Sequence, residues 1–148
     1  MEISARVQNG GGAHRVSVAT AGACQSLAVA AKANGAGSAV NGGEFLVLAL
    51  ATCYCNDIYR EAARMGVVVQ SVEVEAGAEF NGIGLGAENV SYRAHIRSPA
   101  SDAEIEALLE QTDAVAEVHN TLRAGASVAR LAWERWPQPT EHPTEATP

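Results

Sequence analysis

Asn41-Gly-Gly-Glu-Phe-Leu-Val-Leu-Ala-Leu-Ala-Thr-Cys-Tyr-Cys-Asn-Asp57 decides how the rest of this chain is read. Asn41 is a residue type that caps helices, and Glu44 stands three residues later, the spacing of a capping box. Residues 45–55 then hold no charge and, apart from the phenol of Tyr54, one hydroxyl, Thr52. A surface helix shows a polar face at every turn. The stretch therefore predicts a helix buried on most sides, running from about Gly42 to Arg64 and stopped by Gly66. It carries Cys53 and Cys55 into that burial. A thiol so placed is either small-residue packing or a reactive centre.

Working outward, the upstream chain alternates. Ile3–Val7, His14–Thr20 and Cys24–Ala30 read as strands, separated by the turns Asn9-Gly-Gly-Gly12 and Ala21-Gly22. Residues 31–40 form a small-residue crossing into the helix. Downstream, Val67–Phe80 and Val90–Arg97 read as an antiparallel pair joined by a glycine-rich loop. Ser101-Asp-Ala-Glu104 repeats the capping-box spacing and starts a helix to about Gln111. A further helical piece over 112–123 is closed by Gly125, and Ser127–Trp133 alternates as a last strand. The order predicts an α+β fold with a mostly antiparallel sheet around the central helix. Residues 1–135 form one domain, and residues 136–148, which hold four of the five prolines, form a tail expected to be disordered. The helix is apolar on more faces than one small sheet covers, so a homodimer is the natural way to bury it.

Composition narrows the function. A net charge of −7 argues against nucleic acid and against an anionic membrane surface. The longest uncharged apolar run is about half of what a bilayer span needs. The start, Met1-Glu-Ile-Ser-Ala-Arg, lacks the charged-then-apolar pattern of a signal peptide. Three cysteines without framework spacing suit a reducing compartment, and the expected location is the cytoplasm.

With these residues in place, the chain resembles the OsmC/Ohr family of small dimeric thiol peroxidases. The family pattern is Asn-Pro-Glu, a short apolar run and a reactive cysteine, at the separation of Asn41 and Cys53. A second match is Val118-His-Asn-Thr-Leu122, the tail of the family's Cys-Pro-Val-Ser/His-Asn-Thr-Leu segment. The element order agrees to about residue 135. The resemblance implies an intertwined homodimer with active sites between subunits, and Cys53 as the peroxide-attacking thiol. It also implies an activating arginine in the N-terminal strands, where Arg15 is the better candidate and Arg6 the weaker. The chain departs from the pattern at Gly42 and Gly43, which replace the proline and glutamate. It departs again at Ala116 and Glu117, which replace the resolving cysteine and its proline. A two-cysteine cycle is therefore not supported. The expected activity is reduction of an organic hydroperoxide or related small electrophile through Cys53, with an external thiol as reductant and a role in stress response. Two alternatives stand beside it: acid/base chemistry on a small apolar substrate in an interface pocket, and non-catalytic binding.

The residues themselves constrain that chemistry. Cys53 lies 12 residues past Asn41, roughly 18 Å along a helix axis. The helix dipole fades within a turn and does not reach it. Burial raises a thiol's pKa, so activation needs a cation from elsewhere, such as Arg15. Cys55 points about 200° away from Cys53 and cannot pair with it on an intact helix. Cys24, beside a hairpin turn, is expected on the less buried face. Asp57 shares a face with Cys53, and with Arg60 and Glu61 it makes either a structural ion-pair row or the mouth of a pocket. His119 is either a general acid/base or a locally bonded side chain, with Asn120 beside it. Glu44 caps its helix or acts in the pocket in place of the missing glutamate. No metal or cofactor is expected. Cys53-x-Cys55 lacks a common helical face, the four histidines show no ligand spacing, and the glycine-rich 35–43 stretch lacks a phosphate-loop lysine.

Overall fold

In the computed structural model, which describes residues 1–135, Asn41 starts α1 (Gly42–Met65) through a complete capping box. The Asn41 side-chain oxygen accepts the Glu44 N–H at 3.0 Å, and the Glu44 carboxylate accepts the Asn41 N–H at 2.7 Å. Gly66 ends the helix in the left-handed region at φ 72°, a conformation that costs glycine little. The proline-rich tail expected over 136–148 lies outside the described residues.

Upstream of α1, β1 (Ile3–Gly10), β2 (Ala13–Thr20) and β3 (Ala23–Leu27) form an antiparallel meander in the order β1-β2-β3. Both hairpins turn on two residues with positive φ: Gly11 and Gly12, then Ala21 and Gly22. That is the turn hand that matches strand twist. β3 is shorter than the expected Cys24–Ala30, because only Ala23–Leu27 finds partners on β2.

Downstream, β4 (Ser71–Glu79) and β5 (Glu88–Arg97) make a separate two-stranded antiparallel sheet. Its register pairs Val72 with Ile96, Val74 with Ala94 and Ala76 with Tyr92. Alternation places these side chains on one face, against α1. β4 starts later than Val67, since residues 67–70 run outside the ladder. α2 (Asp102–Val115), opened by a second capping box at Ser101 and Glu104, packs on the same helix, and α3 (Glu117–Ala124) follows after one residue. The break falls at Ala116 rather than near Gln111. Ala116 takes extended angles (φ −69°, ψ 102°) and redirects the chain by itself.

The core is Tyr54, Ile58 and Ala62 of α1 with Leu108 of α2 and Ala116, walled by valines of β4 and by Tyr92, Ala94 and Ile96 of β5. Full burial of Ile58 or Leu108 contributes about 1.5–3 kcal/mol each. This core lies against the C-terminal half of α1. In the N-terminal half only Leu50 is buried, while Phe45, Leu46 and Val47 are half-buried and Leu48 is 55% exposed. The expectation of burial on most sides is therefore not met within one chain. The cause is architectural: among the described residues, no strand of the β1-β2-β3 sheet packs on a helix or on β4 and β5.

A second correction concerns Ser127–Trp133. The segment alternates in sequence, but it is not a strand, and Val128, Leu131 and Trp133 are exposed. Alternation marks a residue run able to lie on a pleated surface, and no strand edge among the described residues receives this one.

Candidate functional site

Helical geometry brings Cys53 and Asp57 together one turn apart on α1. The Cys53 thiol donates to Asp57 Oδ2 at 3.3 Å. Asp57 Oδ1 is held by Arg60 Nη1 at 2.7 Å. Arg60 also donates through Nε to Glu61 at 2.9 Å, and Arg64 Nη1 reaches the same carboxylate at 3.1 Å. Glu61 is only 1% exposed, yet both its cationic partners reach solvent. The hydrogen bond from Arg60 holds its carboxyl below the usual carboxylate range. The expected ion-pair row is thus present, and it is anchored at the sulfur.

The other wall of the site comes from the α2–α3 junction. α3 begins without a side-chain cap, its N-cap being Ala116. Its first backbone N–H groups therefore have no helical acceptor. The Val118 amide faces the Cys53 sulfur and favours its thiolate, short of full hydrogen-bond geometry. Glu117 also reaches the site: its carboxylate lies 3.7 Å from Arg60 Nη1. The net balance opposes ionisation. Burial raises the thiol above its ordinary value, the Val118 amide partly offsets this, and the Asp57 and Glu117 charges add to the rise.

Ligand atoms of Cys53, Asp57 and Glu117 lie within 4.8 Å of one another, a donor set that sequence spacing did not reveal. Its mixed thiolate and carboxylate chemistry is compatible with a divalent ion. Arg60 already supplies a cation between the two carboxylates, so an ion there has to displace a guanidinium.

The other candidates fall elsewhere. Arg15 and Arg6 lie on β2 and β1, in the sheet that packs on neither α1 nor α3. Glu44 is engaged in its capping box, nine residues before Cys53 and therefore about 14 Å away along the helix. Cys55 is half-buried, Cys24 is exposed, and all three cysteines are free. Asn120 is occupied locally, donating to the Ala114 carbonyl at 3.1 Å and accepting from Arg123 at 3.3 Å.

His119 is 2% exposed and sits between two aromatic rings, 5.2 Å from Tyr54 and 4.4 Å from Tyr92 by centroids. Both ring nitrogens lack a hydrogen-bond partner among the described residues, so of the two readings the locally bonded one is not found. Burial first, and then the Arg123 charge, hold its pKa below the ordinary histidine value, which keeps the ring neutral near pH 7. Arg123 closes the cluster by pairing with Asp113 at 2.9 Å and donating to the Tyr92 hydroxyl at 2.8 Å, while that hydroxyl donates to Asp113. Tyr54, buried beside Asp113, is pushed up to about 12. A cleft of about 490 Å³ opens beside this cluster, lined in part by Tyr54, Tyr92, Glu106 and Asp113; Cys53 does not line it.

Two neighbours of Cys53, Glu117 and Val118, escaped the sequence reading. The available signal was the second family-like segment, which starts at Val118. At the other departure, Gly43, a built Cβ meets the Phe80 ring at 2.9 Å and Asn41 Oδ1 at 3.2 Å. The missing glutamate is thus matched by an aromatic ring packed on the helix start.

Comparison with known proteins agrees with this architecture. No curated protein matches the chain. Solved structures do match, at the level of fold. An OsmC-like protein from Mycoplasma pneumoniae superposes with a TM-score of 0.59 at 18% identity, covering 84% of this chain and 87% of that one. An organic hydroperoxide resistance protein OsmC from Legionella pneumophila gives 0.58 at 22% identity, covering 83% and 90%. An OsmC-like protein of unknown function from Vibrio cholerae gives 0.57 at 16% identity, covering 82% and 93%. The sequence model of the OsmC-like proteins matches residues 35–129, a span that holds α1, both downstream strands and the α2–α3 pair. The chain belongs to the family of OsmC-like proteins.

Proposed function

We propose that this protein reduces an organic hydroperoxide, or a related small electrophile, through Cys53, with an external thiol returning the enzyme to its starting state. The observation that carries the reading is the placement of the Cys53 sulfur. It is half-buried on the central helix, bonded to an acceptor that Arg60 fixes, and faced by the uncapped start of α3. Family membership and the hydroperoxide-resistance name of the Legionella pneumophila relative agree with it.

The cycle uses one cysteine. Sulfur attacks the terminal peroxide oxygen, the O–O bond breaks, and Cys53 becomes a sulfenic acid while the peroxide leaves as an alcohol. One external thiol then displaces water to give a mixed disulfide. A second releases the Cys53 thiol and departs as the external disulfide. Two electrons pass from the thiol pair to the peroxide. Cys55 points to another face of α1, and the position equivalent to a resolving cysteine is the buried Ala116, so an internal disulfide has no role.

The working unit in this reading is a homodimer. Leu48 and the apolar start of α1, the detached β1-β2-β3 sheet and the exposed Val128–Trp133 segment all offer surface to a second copy. A second copy is also what would carry Arg15 towards a Cys53. No helix among the described residues is long and apolar enough to cross a membrane, and the free cysteines suit a reducing compartment such as the cytoplasm.

The test is peroxide consumption with a dithiol, measured with alkyl and aryl hydroperoxides. Activity is expected to vanish in Cys53→Ser and to persist in Cys24→Ser. An absence of turnover with every peroxide and thiol pair would sink the reading.

A further inference from the structure

We propose that His119 is an acid-sensitive latch, whose protonation releases α3 from α1, α2 and β5 while the rest of the fold stays closed. The observation that carries this is that His119 is the only buried residue of α3. Val118 is half-buried, and every other residue of the helix is exposed. A helix this short is held in place by packing rather than by its own propensity. Here the packing is one imidazole, seated against Tyr54 of α1 and Tyr92 of β5 with ring centroids 5.2 Å and 4.4 Å away.

That anchor suits a neutral ring. Neither ring nitrogen has a hydrogen-bond partner among the described residues. A buried charge is costly unless it is paired, and an imidazolium carries two donors that both need acceptors. The groups that face the ring are already committed. From α1, Asp57 is held by Arg60 at 2.7 Å, and the Tyr54 hydroxyl donates to the Leu109 carbonyl of α2. From α2, Asp113 is held by Arg123 and by the Tyr92 hydroxyl of β5. On α3 itself, Glu117 is turned to Arg60, and Arg123 is a cation that repels a second one. The protonated ring finds its two acceptors in water, outside this seat.

The ends of α3 let it move as a unit. It joins α2 through one extended residue, Ala116, and starts without a side-chain cap. It ends at Gly125, in the left-handed region at φ 67°. Its other ties are the Arg123–Asp113 pair and the bond from Asn120 to the Ala114 carbonyl. Arg123 is 48% exposed in that pair, and exposed pairs contribute little. On release, Glu117 leaves Arg60 and the Val118 amide leaves the Cys53 sulfur, so the site of the proposed function loses one wall in mild acid. A second copy does not alter the argument. The ring is sealed within one chain, so a partner adds burial and does not reach its nitrogens. The latch is also independent of the ionisation of Cys53 and of any cation that a partner brings to it.

The experiment is amide hydrogen–deuterium exchange of the full chain at pH 5.5, 6.5 and 7.5. Mass spectrometry reads protection relative to the intrinsic exchange rate at each pH. A released histidine titrates near the ordinary value of about 6.5. Opening of α3 should therefore rise by up to about tenfold from pH 7.5 to pH 5.5. Protection of the α3 amides is expected to fall by that factor, while α1 and α2 keep theirs. His119→Phe and His119→Leu fill the seat without a titrating group and should make α3 protection independent of pH. Circular dichroism confirms that each variant is folded. A change of less than about twofold in the wild type, an equal fall in the variants, or an equal fall in α1 and α2 overturns the latch. Peroxide turnover is measured separately at pH 7.5: its absence overturns the peroxidase reading, while the exchange data still decide the role of His119.

Discussion

Cys53 Sγ and Asp57 Oδ2 lie 3.3 Å apart, with the thiol as donor. The partner closest to the candidate nucleophile is thus an anion, and the cation, Arg60, stands behind it. Burial raises the Cys53 pKa above its ordinary value, and Asp57 adds to the rise by hydrogen bond and charge. In a Cys24→Ser/Cys55→Ala background, thiolate absorbance near 240 nm is expected to titrate with a midpoint above that of a free thiol, about 8.5. Asp57→Asn removes the charge and the acceptor and should move that midpoint down. A wild-type midpoint below about pH 8 would contradict this account of the site.

Arg60 is expected to matter for stability as well as for geometry. It pairs with two buried carboxylates, and Glu61 is held below its ordinary value of 4.5 chiefly by the Arg60 hydrogen bond. A carboxyl whose folded-state pKa is lowered stabilises the fold above its unfolded pKa, and that contribution is lost as pH falls through the folded value. Arg60→Gln should therefore lower Tm by a few degrees at pH 7. The deficit should shrink as pH drops below about 4.5 and the unfolded carboxyls bind protons. Thermal unfolding of both proteins across pH 3–8 checks this. A deficit that is equal at pH 7 and pH 3.5 would show that Arg60 acts by packing alone.

Capping chemistry is local, which is why the beginnings of α1 and α2 and the end of α1 were legible in the sequence. Asn41 with Glu44, Ser101 with Glu104, and Gly66 each act within a few residues of themselves. Strand partners are not local. Ser127–Trp133 carries the same alternation as β5, but β5 pairs with β4 and the later segment pairs with no strand among the described residues. The break at Ala116 also left no mark, since neither glycine nor proline makes it. The site divides in the same way. Asp57 was readable from its spacing to Cys53 on one helix. Glu117 and Val118 were not, because they reach the sulfur only through the α2–α3 turn.

Gly43 offers a check on the helix start. A methyl group there gains helix propensity of about 1 kcal/mol over glycine. It also meets the Phe80 ring at 2.9 Å. Phe80 is half exposed and its ring is free to swing aside, so the two effects should nearly cancel in Gly43→Ala. In a Phe80→Ala background the clash is gone, and the same substitution should stabilise by about 1 kcal/mol. A double-mutant cycle in urea reads the coupling directly. Strict additivity would mean that Phe80 does not restrict position 43.

His119 should make the fold sensitive to mild acid. Its folded-state pKa lies below the ordinary 6.5, chiefly because the ring is buried. The unfolded chain therefore binds a proton before the folded one does. This part of the stability is complete above about pH 6.5 and is lost as pH falls from there towards the folded value. His119→Phe keeps a ring between Tyr54 and Tyr92 and removes two unpartnered nitrogens. It should raise stability by about 1 kcal/mol or more at pH 7 and by a larger margin at pH 5. Urea unfolding at the two pH values distinguishes this from a packing effect, whose size would be the same at both.

Leu48 tests the proposed dimer without touching the thiol. Its side chain is 55% exposed on α1, so within one chain Leu48→Lys replaces a surface leucine by a surface lysine. Such exchanges usually change monomer stability by less than about 0.5 kcal/mol. At a dimer interface the same exchange buries a charge against the apolar start of α1, which is costly unless the charge is paired. Light scattering coupled to size exclusion is expected to give a mass near twice 15.3 kDa for the wild type and near 15.3 kDa for Leu48→Lys at low micromolar concentration. If the active sites lie between subunits, peroxide turnover should fall with the dimer fraction and recover at high protein concentration. A wild-type protein that is monomeric and fully active would remove the second copy from the mechanism.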